Sequence, residues 1–92
     1  MKNKKLQLIR KKLDKLDDKF LALIKKRTQL VNQVLLTKKY KNQIIDKKRI
    51  KKILSNIKRK SQQRSLDNKI TNEIWTAMIR AYIKYEYRNF KK

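Results

Sequence analysis

The chain has 92 residues, with 29 Lys and Arg against 7 Asp and Glu, a formal net charge of +22, and no Gly, Pro, Cys or His. Lacking Cys and His, it is excluded from disulfides, thiol or imidazole catalysis and the usual zinc sites, and no segment approaches the ~20 apolar residues of a membrane span or the apolar run of a signal sequence. The expectation is one cytoplasmic domain, residues 1–92, whose charge suggests a nucleic acid or an anionic surface, although Lys outnumbers Arg 22 to 7 and Ile and Asn are frequent, the bias that AT-rich coding would produce by itself.

Abundant Lys, Leu, Ile and Gln, with no Gly or Pro to punctuate them, favour helix throughout, so the fold class is all-α. From Leu6 the large apolar residues fall at Ile9, Leu13, Leu16, Phe20, Leu23, Leu30 and Val34, in steps of three and four with one gap. That stripe predicts a coiled-coil-like first helix over about 3–38, roughly 54 Å long at 1.5 Å per residue. Such a helix outreaches any core the rest of the chain could build, since a compact globule of this size has a radius of gyration of only ~12 Å. A second chain covering the stripe, in an intertwined dimer, is the simplest arrangement.

Periodicity stops at Lys39–Ile45 (KYKNQII), which reads as a loop, and Asp46 is placed to cap a second helix. There Ile50, Ile53, Leu54 and Ile57 share one face, while Lys47, Lys48, Lys51, Lys52, Lys58 and Lys60 fall mainly elsewhere. The polar stretch Ser61–Ser65 reads as the next loop. Asp67 then caps a third helix, with Ile70, Ile74, Met78, Ala81 and Tyr85 along one face and Trp75, Ile79, Tyr82 and Glu86 along another.

Several charged residues sit where apolar ones are expected. Arg27 fills the gap in the first helix's stripe, and an inward guanidinium needs an anion. Lys38 lies one turn beyond Val34 on the same face, ~16 Å from Arg27, and no acid on that face balances either cation. Arg49 stands near the entry of the second helix, three residues after Asp46. Glu86, in a semi-apolar setting, either balances Arg27 or Lys38 or stays protonated and donates a hydrogen bond. Set against these readings, Arg27 could snorkel, Arg49 could be a solvated member of KKRIKK, and Glu86 could be exposed beside Lys84 and Arg88.

The segment LQLIRKKLDKLDDKFLALIKKR resembles the first-helix signature of the all-helical chorismate mutase family. With one residue deleted in the loop, the similarity continues through Lys38 and the D-x-x-R of Asp46 to Arg49, and on to MIRAYIKYE. The resemblance implies an intertwined dimer of three-helix subunits and conversion of chorismate to prephenate in aromatic amino acid biosynthesis, with no metal or cofactor. It also implies that Arg10 reaches into the partner's site, that Arg27, Lys38 and Arg49 bind the dianionic substrate within the subunit, and that Asp46 meets its hydroxyl. Tyr82 stands where the family has a Ser, Ile50 where a Glu is common, and Glu86 where a Gln usually donates to the ether oxygen.

The reaction is an intramolecular rearrangement needing no nucleophile, metal or proton transfer. The family's chemistry therefore suits a chain without His or Cys. The resemblance implies that catalysis falls to Lys38, protonated Glu86 and Arg27, with Arg10, Asp46, Arg49 and Tyr82 lining the substrate. Ile50 and Tyr82 also resemble the isochorismate pyruvate lyase branch of the same fold, which is the alternative activity. Outside enzymes, a basic nucleic-acid-binding helical module is the competing reading, carried by the net charge and the Lys47–Lys60 face but by no recognised motif.

Overall fold

A computed structural model describes residues 3–91. In chain order it contains helix α1 (Lys4–Thr37), a 3₁₀ turn (Lys41–Gln43), α2 (Lys47–Gln63) and α3 (Asn68–Asn89), with no strand among the described residues. The chain is all-α, as its composition requires, and α1 begins and ends within a residue of the expected limits.

The chain divides into two compact units, one ending at Gln33 and one beginning at Val34. The first is α1 alone over that stretch. No acid lies in the first turn of α1 and no base in its last, so charged side chains do not favour its dipole and the helix rests on the propensities of its Lys, Leu and Ile residues. Its apolar stripe is solvent-exposed: Leu13 by 53%, Leu16 by 55%, Phe20 by 52% and Leu23 by 61%.

The second unit holds the end of α1, the connecting loop, α2 and α3, with α2 packed on α3. Asp46 Oδ1 accepts from the Arg49 backbone N–H at 3.0 Å, and Asp67 Oδ1 from that of Lys69 at 2.9 Å. Both expected N-caps are therefore made. The face of α2 turned from solvent carries Ile50, Ile53, Leu54 and Ile57, as the spacing predicts.

Two boundaries or faces differ from expectation. Helix α2 continues through Ser61 to Gln63, so the loop is shorter than Ser61–Ser65 and begins later. Ser61 is buried, and its hydroxyl shares a 2.8 Å hydrogen bond with that of Thr71 on α3. The helix then closes in a Schellman arrangement, with Leu66 N–H donating to Ser61 C=O at 2.9 Å and Ser65 N–H to Gln62 C=O at 3.2 Å. Ser65 takes the left-handed position (φ 54°) that glycine usually fills.

On α3 the less exposed line runs through Thr71, Trp75, Met78, Ile79, Tyr82 and Glu86, whereas Ile70, Ile74 and Ala81 face solvent. The expected Ile70–Ile74–Met78–Ala81–Tyr85 face is therefore rotated by about one position. The most enclosed apolar residues described are Leu35 (8% exposed) and Ile44 (3%), one on either side of Lys38.

Candidate active site

The end of α1, the loop and the last turns of α3 bring Lys38 and Glu86 together. Lys38 is the first residue past α1, and its backbone N–H donates to Leu35 C=O at 3.1 Å, so the chain leaves the helix in a tight turn. Its ammonium donates to Glu86 Oε1 at 3.1 Å and to the Ile44 carbonyl at 3.3 Å. The two side chains are only 15% and 10% exposed, which makes this a largely desolvated ion pair in which each charge needs the other. Glu86 is thus neither exposed nor engaged by Lys84 or Arg88. Of the two partners open to it in the sequence, it takes Lys38.

An ammonium has three N–H donors and no acceptor. Two are committed here, one to α3 and one to the loop, which leaves one for a bound molecule. Beside it opens a cleft of about 590 Å³ lined by Thr37, Lys38, Gln43, Ile45, Asp46 and Lys47. Lys38 and Asp46, both expected in the site, share this cleft. Asp46 uses one carboxylate oxygen on the start of α2 and can present the other to a hydroxyl.

Arg49 is exposed on the first turn of α2, and the next residue, Ile50, is half-buried. Tyr82 lies one turn before Glu86 on the same line of α3. It is half-buried, with its ring edge-on to that of Tyr85 at 6.3 Å between centroids and 86° between planes. Edge-to-face is a favoured arrangement for such ring pairs. Arg10 and Arg27 belong to the other unit, on α1, where Arg10 is exposed and Arg27 half-buried.

Sequence reasoning assigns no part in this cleft to Gln43, Thr37, Ile45 or Lys47. Gln43 gave one faint signal: it stands three residues after Tyr40, the spacing at which a Gln side chain can reach back to a cap N–H. In the structure its Oε1 accepts from the backbone N–H groups of Lys39 (2.7 Å) and Tyr40 (3.0 Å).

Among the described residues, no three His, Cys, Asp or Glu side chains gather as a metal site, and no helix is long and apolar enough to cross a membrane. Over residues 9–87 the sequence matches the family described as chorismate mutase type II. That span includes Arg10, Arg27, Lys38, Asp46, Arg49, Tyr82 and Glu86. No curated protein and no solved structure matches the chain.

Proposed function

The chain belongs to the chorismate mutase type II family, and from that premise we propose how its residues carry chorismate to prephenate, the isomerisation of that family in aromatic amino acid biosynthesis. The observation that carries the assignment of roles is the desolvated Lys38–Glu86 pair beside an open cleft. In the rearrangement one carbon–oxygen bond breaks as one carbon–carbon bond forms within the same molecule. Nothing is gained or lost, and negative charge grows on the ether oxygen as its bond stretches. A fixed cation in a water-poor setting is worth most at that moment.

Lys38 supplies that cation through its uncommitted N–H. Glu86 is the second donor, and only its protonated form can give a hydrogen bond. An ionised Glu86 accepts alone and repels the substrate's own charge. In its protonated form Glu86 converges with Lys38 on the ether oxygen.

Arg27 and Arg49 hold the substrate carboxylates, for which the guanidinium fork is suited, with Asp46 at the ring hydroxyl and Tyr82 against the ring. Arg10 comes from the second chain of a homodimer, whose formation is supported by the exposed stripe of α1. The domain acts in the cytoplasm, without a cofactor.

The test is turnover of chorismate by the purified protein, following prephenate, beside Lys38→Ala. Removing a charge aimed at the developing anion should lower kcat/KM by about 10²–10³-fold. An unchanged rate in the variant removes Lys38 from the chemistry. Salicylate and pyruvate from isochorismate, with no prephenate from chorismate, would transfer the same site to lyase chemistry.

A further inference from the structure

The loop that holds Lys38 has neither glycine nor proline to set its path, yet the ammonium takes one of its two contacts from that loop, at the Ile44 carbonyl. What fixes the loop is Gln43. Its Oε1 bridges the two successive N–H groups of Lys39 and Tyr40, which would otherwise be left to water past the end of α1. Its own backbone N–H donates to Tyr40 C=O at 3.1 Å, and the next one, of Ile44, to Lys41 C=O at 3.1 Å. One residue thus ties the backbone just after Lys38 to the backbone just before the Ile44 carbonyl. Ile44, at 3% exposure the most buried apolar residue described, anchors the far side.

We propose that Gln43 is a positioning residue: by accepting from Lys39 and Tyr40 it sets the Ile44 carbonyl against Lys38 and so aims the third N–H of the ammonium into the cleft. The proposal rests on the role given to Lys38 above. A carbonyl displaced by ~1 Å no longer holds the ammonium, and errors of that size in a reacting group can cost about 10²-fold in rate. Because the aimed charge matters most as the ether bond breaks, the loss belongs in kcat rather than in KM.

What Gln43 contributes is an acceptor oxygen, and a carboxylate of the same length provides one too. Gln43→Ala should lower kcat by about 10- to 100-fold with KM little changed. Gln43→Glu should restore most of kcat while raising KM, because the cleft then carries a carboxylate that opposes a dianion.

A readout independent of turnover is the ¹⁵N-detected NMR signal of the Lys38 ammonium. It should be sharp and slowly exchanging in the parent and in Gln43→Glu, and broadened in Gln43→Ala. The proposal is overturned if Gln43→Ala keeps the parent kcat while Lys38→Ala loses it, or if Gln43→Ala and Gln43→Glu lose kcat equally, which would make the amide nitrogen the working group. It is also overturned if the Lys38 signal is the same in all three proteins. A Lys38→Ala variant with full activity would instead remove the reading of Lys38 itself.

Discussion

Lys38 and Glu86 show how one contact can serve both folding and chemistry. With Glu86 only 7% exposed, its carboxylate is tolerable because Lys38 stands 3.1 Å away; removing either partner alone leaves a desolvated charge, a change that typically costs about 3–5 kcal/mol. Replacing Glu86 by Gln is the gentler probe, since the amide oxygen can still accept from Lys38 while the amide nitrogen donates at every pH. Glu86→Gln should therefore keep or raise kcat/KM, whereas Glu86→Ala, which deletes donor and counter-ion together, should lower it by about 10²–10³-fold. Steady-state rates of the two variants beside the parent decide it, and a Glu86→Gln rate as low as that of Glu86→Ala would show that Glu86 is a counter-ion to Lys38 only.

The elements end where side chains supply what the backbone lacks, and one of them ends under strain. Ser65 occupies the left-handed region at φ 54°, where a side chain other than glycine costs roughly 1–2 kcal/mol, partly offset by glycine's greater freedom in the unfolded chain. Ser65→Gly should therefore stabilise the protein by about 0.5–1 kcal/mol, and thermal unfolding at fixed protein concentration should show a rise of about 2–8 °C. An unchanged or lower midpoint would mean that the Ser65 side chain compensates its own backbone. The same turn explains why the end of α2 was hidden in the sequence: a Schellman turn usually announces itself by glycine, this chain has none, and Ser61 reads as a loop residue although its hydroxyl is spoken for by Thr71. The caps Asp46 and Asp67 were legible because an acceptor just before a periodic run has one obvious use. On α3 periodicity could not choose between neighbouring apolar lines, one through Ile70 and Ile74 and one through Trp75 and Ile79, and packing against α2 decided. The pairing of Lys38 with Glu86 lies 48 positions apart, so sequence could offer Glu86 two cations but not select one. Gln43 was missed because its bonds go to backbone, which side-chain patterning does not display.

The single chain leaves the stripe of α1 uncovered, with Leu13, Leu16, Phe20 and Leu23 each more than half exposed. A run of large apolar side chains at that spacing is stable in water when another surface covers it. A two-fold partner offers the identical stripe, and in the homodimer proposed above each chain lends its Arg10 to the other's site. If each site is assembled in this way, two chains that are separately inactive can repair each other. Arg10→Ala spoils the site of its partner, whereas Lys38→Ala spoils its own. In a mixed dimer the chain bearing Arg10→Ala keeps Lys38 and receives Arg10 from the other, so one of the two sites is whole. Unfolding and refolding an equal mixture should make about half the dimers mixed and so restore about a quarter of the parent activity, while each variant refolded alone stays inactive. Recovery well above what either variant gives by itself ties catalysis to a shared interface. No recovery, from a mixture shown by native mass spectrometry to contain mixed dimers, would mean that Arg10 serves its own chain, so that each of the two sites carries one defect.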